Sequence, residues 1–312
     1  MSYPFARLSP DVVAYSFCPF LDNRDLVSFF STNKKGAREQ LDGIREIVER
    51  QLFSRIPIFG KTEYKKYWGL EITDQFEPNK IDIRILRTFL ETYYGPNPVD
   101  VAYYCPNPLD AKYRELWREK TRGVNTTCLM PTVIPKTAMA EGRELLFNLN
   151  LLGDVAEHPR SGNAAKYSLI SKALEQHGED DPQEAHLQIV LIGVIARSTS
   201  WERQVKSLKY VNEQTGYGCE PEPEVLPLTT ATLAHHAVTG HRAFGDYFGL
   251  EGHDTVSRTR ELVLVGEDEY YPMVVGAFKA GTGGSAPAEL YVHDHSYFRP
   301  GLNGVAVQRK FR

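Results

Sequence analysis

Between His186 and Ala196 the chain places Ile189, Val190, Leu191, Ile192, Val194 and Ile195 in a nearly unbroken apolar run. A strand of this kind carries apolar side chains on both faces, so both faces must be covered by other elements. The surrounding sequence supplies the cover. Leu145 to Glu157 and Lys166 to His177 read as helices, and Ser200 is placed to cap a helix over Trp201 to Gln214 with Trp201, Val205, Leu208 and Val211 on its apolar side. Thr127 to Thr132 reads as a further strand. The acidic, proline-broken stretch Glu220 to Pro227 reads as a surface loop and Thr229 to Thr239 as a helix. The last fifty residues are strand-like at Glu261 to Val265, Tyr271 to Phe278, Glu289 to Val292 and Gly304 to Lys310. Helices covering one mixed sheet, with an antiparallel C-terminal meander, is the economical arrangement.

The first half has a different pattern. Residues 8 to 53 read as three short helices: Pro10 and Asp11 suit a first turn, Asp22 or Asn23 can cap the second, and Leu41, Ile44, Ile47, Val48 and Leu52 recur at helical spacing in the third. Gly60 to Gly69 reads as a glycine-bounded helix with Tyr64, Tyr67 and Trp68 on one side. Its Gly60-Lys61-Thr62 is no P-loop, because Arg55 stands where the first glycine is required. Ile81 to Tyr94 is a second amphipathic helix. The turns Gly95-Pro-Asn-Pro98 and Cys105-Pro-Asn-Pro108 force extended backbone and mark a connector. The expected fold is therefore α+β: a helical module over 1–59, a helical and proline-rich connector over 60–124, and a mixed α/β domain over 125–312, largely antiparallel towards its C-terminus. The alternative is that Tyr93, Tyr94, Tyr103, Tyr104 and Trp117 pack the connector on the sheet and fuse the halves into one body.

Composition narrows the partners. A chain of 312 residues with 42% hydrophobic content can bury a substantial core, and a net charge of -4 gives no electrostatic reason to expect nucleic acid or an anionic membrane. No window approaches the length of a membrane span. Pro10, Asp11 and Pro19 break the only apolar run that could serve as a secretory signal. Cys18, Cys105, Cys128 and Cys219 lie far apart without a C-x-x-C pair, which points to a reducing, cytosolic setting without disulfides.

Candidate chemistry is sparse. His235, His236 and His241 lie near one helix end with Asp246 following, and His293 and His295 share a strand face. Nothing among them matches a metal-binding motif, so hydrogen-bonded histidines and no metal or cofactor are expected. Cys128 ends an expected strand, where a small buried hydrophobe is the plain reading. Ser198, Thr199 and Ser200 follow the most apolar strand and precede a helix, so they could receive an anion at the helix N-terminus or simply cap it. Gly281 to Gly284 reads as a loop between strands, and Glu179-Asp-Asp181 as a solvated turn.

One stretch carries a motif. Pro10-Asp11-Val12-Val13, then Phe17, Leu21 and Asp25-Leu26, with Asn33-Lys34 at the end, resembles an F-box. One extra residue, Pro19 or Phe20, separates Phe17 from Leu21, and the usual tryptophan near the end is missing. Three further stretches, Gly60 to Gly69, the expected helix Leu151 to Lys166 with its Gly162-Asn-Ala-Ala-Lys-Tyr167, and Gly304 to Phe311, make the chain similar to the F-box-like proteins of chlamydia-related bacteria that live in amoebae. The resemblance implies an adaptor acting in the cytoplasm, including the host cytosol after secretion. There it would dock on a Skp-type linker of a cullin-RING ubiquitin ligase and hold a target, whose identity the resemblance leaves open, with the C-terminal domain. The partner-facing anchors would be Leu8, Pro10, Val12, Val13, Phe17, Leu21 and Leu26. The competing reading of these residues is the core of a helical cap, and the competing function is a host-directed enzyme whose α/β domain carries an unrecognised site.

Overall fold

The computed structural model describes residues 58–73, 129–167, 172–182, 184–195, 199–215, 218, 220–240, 242–244, 256–281, 286–294 and 303–311. The seven anchors between Leu8 and Leu26, the helix expected over 81–94 and the proline connector lie outside the described residues. So do the four cysteines, Ser198, His241, Asp246 and His295.

The described body is a mixed helix and strand structure whose sheets are largely antiparallel. A helical turn α1 (Lys61–Glu63) runs directly into a π turn (Tyr64–Trp68) and a short strand β1 (Glu71–Ile72). Then come β2 (Thr132–Ile134), β3 (Thr137–Ala140), β4 (Arg143–Leu146), α2 (Leu149–Glu157), β5 (Ala165–Tyr167) and α3 (Lys172–His177). After these follow β6 (His186–Ile195), α4 (Trp201–Thr215), α5 (Val225–Thr239), β7 (Val256–Leu264), β8 (Tyr270–Lys279), β9 (Ala288–Asp294) and β10 (Asn303–Phe311). Strands β1, β3 and β4 form a small antiparallel sheet. The remaining seven lie in the order β2-β6-β10-β7-β8-β9-β5. Pairing is antiparallel except at β10 with β7 and β5 with β9.

Helix α5 explains how the large sheet is covered. It is buried all round, with Val225 to Ala237 covered without a break. It packs on β2, β6 and β8 of the large sheet and on α2. Two of its buried threonines are satisfied locally: the Thr230 hydroxyl donates to the Leu226 carbonyl at 2.7 Å and that of Thr232 to Leu228 at 2.8 Å. The opposite face of the sheet receives α4, through contacts with β10. With both faces covered, Gly304 to Arg309 of β10 are all buried.

Residues 58–73 are integral to the same core. Phe59 bridges Thr132 in parallel, donating its N–H to the Pro131 carbonyl and accepting from Val133. Its ring meets Tyr64 at 4.9 Å and Trp68 at 4.6 Å, and Tyr64 meets Phe147 at 5.8 Å. The Tyr64 hydroxyl, wholly buried, donates to the Val133 carbonyl at 2.7 Å. Tyr64, Tyr67 and Trp68, one side of the expected helix, thus form the hinge of an aromatic cluster.

Several element boundaries differ from expectation. The strand expected over 127–132 is seen at Thr132–Ile134. The helix expected from Leu145 begins at Leu149, where the Asn148 side chain accepts the Leu151 N–H at 2.9 Å. Leu145 and Leu146 belong instead to β4, joined to β3 by a two-residue turn with Glu141 and Gly142 both at positive φ. The helix expected from Lys166 starts at Lys172, because Ala165–Tyr167 pairs with β9. Helix α5 starts four residues early and contains Pro227. The proline is its third residue, where an N–H has no intrahelical partner to lose. Finally, β10 does not extend the meander β7-β8-β9 but crosses back to lie between β6 and β7.

Candidate functional site

Strands β7 and β10 pair at only two positions, Asn303 with Val256 and Gly304 with Ser257, and then diverge. The Ser257 hydroxyl marks the fork: it accepts the Ala306 N–H at 2.8 Å and donates to the Arg258 carbonyl. Beyond it the segment 220–224 fills the gap, with Glu220 N–H donating to the Gln308 carbonyl and Arg260 N–H to the Pro223 carbonyl, both at 2.8 Å. The Gln308 amide oxygen accepts from Glu224 N–H and from Gln188 Nε2, while its NH2 group donates to the Glu224 carbonyl. The Glu224 carboxylate bridges Arg260 at 2.8 Å and Lys310 at 2.5 Å.

Glu261 completes this polar fork. Its Oε2 accepts the Val225 N–H at 3.0 Å, so a carboxylate on β7 occupies the first turn of α5. Burial raises its pKa, and the hydrogen bonds and the nearby Arg260 only partly offset that rise. The N-terminus of α5 is therefore already served by the protein's own anion.

At the N-terminus of α4 the expected anion site takes the following form. Ser200 Oγ accepts the Arg203 N–H at 3.4 Å and its carbonyl accepts from Gln204, which is the capping role. The buried Arg258 guanidinium donates from Nη1 to the Thr199 carbonyl at 3.2 Å and to Gln204 Oε1 at 3.3 Å. Burial pulls the Arg258 pKa down. A guanidinium, two hydroxyl-bearing residues and the amides of a first helical turn are anion-recognising groups, and here they are joined to one another. Thr199 and Ser200 are thus brought together with Arg258 and Gln204, which sequence reasoning missed.

The described histidines are dispersed. His235 is buried and accepts the Met130 N–H on Nδ1 at 3.3 Å, which fixes that nitrogen as unprotonated. His236 meets the Phe278 ring at a tilt of 59°, with centroids 4.7 Å apart. His293 Nδ1 lies 3.1 Å from Asp294 Oδ2, both residues buried, in a cross-strand row with Val274 and Arg258 on the face opposite the main core. Among the described residues no group of three or more potential ligands could hold a metal ion, and no helix is long and apolar enough to cross a membrane.

The stretches that carry the family resemblance have structural roles. Arg160 N–H donates to the Tyr67 carbonyl at 2.7 Å and Ser161 Oγ to that of Lys66 at 2.9 Å, which joins 60–69 to 160–163. Asn163 then caps the other end of α5 through the His236 and Ala237 carbonyls, and the Tyr167 hydroxyl donates to the Leu149 carbonyl at 3.0 Å. The third stretch is β10. The polar residues of the fork were signalled in sequence only as interruptions of apolar strands, Gln188 in β6 and Gln308 in β10. Comparison with protein-family models, with curated proteins and with solved structures finds no match to the chain.

Proposed function

We propose that this chain is an F-box-type substrate adaptor that docks on a Skp-type linker of a cullin-RING ubiquitin ligase and acts as a bacterial effector inside a eukaryotic host. The observation that carries the reading is the single run holding Pro10-Asp11-Val12-Val13, Phe17, Leu21 and Asp25-Leu26. The spacing of those residues is that of an amphipathic helical face, and recognition of such a face in a groove concentrates its energy in a few apolar anchors. The described body suits the other half of the task. It offers a frame tied together at both ends of α5, and at the end of its small sheet β4 leaves Arg143, Glu144, Leu145 and Leu146 exposed, the geometry of strand addition by a target.

The test is capture from eukaryotic lysate. The wild-type chain should retain the Skp-type linker together with its cullin, and Leu21→Asp should retain neither. A wild-type chain that captures neither refutes the reading.

A second reading, a host-directed enzyme, has one observation in its favour: the buried His293 held by Asp294 on the same sheet face as Arg258. A carboxylate-oriented imidazole is the pairing that general acid–base chemistry uses. Under this reading His293→Ala abolishes an effect on host cells that survives Leu21→Asp; under the adaptor reading the two variants behave in the opposite way.

A further inference from the structure

From Arg260 onward the outer edge of β7 faces no strand among the described residues, because β10 has already turned away. On its inner side β7 pairs with β8, and in that ladder Leu262 opposes Pro272 and Leu264 opposes Tyr270. The Val265 N–H to Glu269 carbonyl bond fixes the alternation, so the backbone groups of Leu262 and Leu264 point outward. Side chains of α3 take the place of the missing strand. Gln176 both donates to the Leu264 carbonyl and accepts the Leu264 N–H, each at 3.0 Å, and Lys172 donates to the Val265 carbonyl at 2.7 Å.

His177 is the remaining contact and differs in kind. Its Nδ1 lies 2.6 Å from Asp180 Oδ2 and its Nε2 lies 2.9 Å from the Leu262 carbonyl oxygen. Both partners are acceptors. A neutral imidazole carries one N–H and can satisfy only one of them, whereas the imidazolium donates from both nitrogens. The geometry is that of the protonated ring.

We propose that His177 is a pH-sensitive clasp: as an imidazolium it ties α3 to the outer edge of β7, and on losing its proton it gives up one of its two bonds and loosens that edge.

The charges around the ring agree in sign. Partial burial works against the cation, but the Leu262 carbonyl, the bond to Asp180 with its charge, and Glu261 on β7 outweigh it and hold the pKa above the ordinary 6.5. The other charged groups nearby are engaged or directed elsewhere. On α3, Lys172 is bound to Val265 and Glu175 is exposed; on the adjoining turn Glu179 and Asp181 are exposed. On β7, Arg260 turns to Glu224. On α2, Asp154 and Glu157 are exposed. On β9, Glu289 pairs with Lys166 and His293 with Asp294.

The sign of the switch follows. A histidine whose folded pKa is raised contributes stability that is complete below 6.5 and is lost as pH rises through the folded value. What the clasp guards is a strand edge flanked by exposed apolar side chains, Leu262 at 50% and Tyr270 at 63% exposure, the kind of edge that recruits another strand when uncovered.

The experiment uses the full chain. The His177 imidazole is titrated by NMR, and protection of the Leu264 amide, corrected for intrinsic exchange, is followed over the same pH range. The expected result is a midpoint above 6.5, with protection falling about fivefold as pH crosses it, the worth of roughly one hydrogen bond. Asp180→Asn should lower the midpoint, and His177→Gln should leave a low, pH-independent protection. A wild-type midpoint at or below 6.5 overturns the proposal even if the variant does not fold. So does an unchanged pH-dependent loss of protection in His177→Gln.

Discussion

Glu261 Oε2 on β7 accepts the backbone N–H of Val225 at 3.0 Å, so the first turn of the central helix is closed by a strand carboxylate 36 residues away in sequence. Helix, fork and sheet are thereby coupled. Removing the acceptor with Glu261→Ala should cost about 1 kcal/mol, the usual worth of an N-terminal cap. Because burial raises the Glu261 pKa, the folded state binds its proton more tightly than the unfolded one. Its contribution to stability therefore declines as pH rises from about 4.5 through the folded value. Glu261→Gln keeps an acceptor and should flatten that part of the pH profile. Urea unfolding between pH 4 and 7 reads both effects, and a Glu261→Ala protein as stable as the wild type would count against the cap.

Tyr64→Phe tests the aromatic hinge. The variant keeps the ring contacts with Phe59, Trp68 and Phe147 and deletes only the bond to the buried Val133 carbonyl. A loss of about 1–3 kcal/mol in chemical denaturation is expected, since the carbonyl is left without its partner. Phe59→Ala should cost more, about 3–5 kcal/mol, because it empties the centre of the cluster. A neutral Phe59→Ala would mean that 58–73 does not pack as described.

Gly162 sits at φ +85, and a Cβ there would collide with the Ala237 carbonyl oxygen and lie 2.8 Å from the Tyr67 ring. Two costs therefore add in Gly162→Ala: a left-handed backbone that side chains disfavour by about 1–2 kcal/mol and overpacking of about 1–3 kcal/mol. The thermal midpoint should fall by several degrees. An unchanged midpoint would contradict the close approach of 160–163 to the end of α5.

How much of this was legible in the sequence differs from element to element. The apolar run of β6 announced a strand covered on both sides, and the strands β7, β8 and β9 were each recognised, though short at their ends. The helix α2 was recognised, but its start was placed at Leu145 and not after the cap Asn148, because a pair of apolar residues such as Leu145 and Leu146 carries no period to tell helix from edge strand. Pro227 suggested a loop, since position within a helix, and not proline itself, decides whether it is tolerated. The order of β10 in the sheet and the fork it creates with β7 depend on contacts far apart in the chain, which local pattern does not encode. At the head of α4, Ser200 takes the capping role that its place before the helix suggested. Arg258, which bonds the Thr199 carbonyl from 59 residues further along the chain, had no local signal.

The central claim concerns the N-terminal anchors, and the most direct measurement is calorimetric titration of the purified full chain with a purified Skp-type linker. The account predicts binding at tens of micromolar or tighter. It also predicts complete loss in Phe17→Asp and in Leu26→Asp, since a charge placed at a buried apolar anchor costs several kcal/mol. A wild-type chain that shows no heat of binding at those concentrations, while melting as a folded protein, would contradict it.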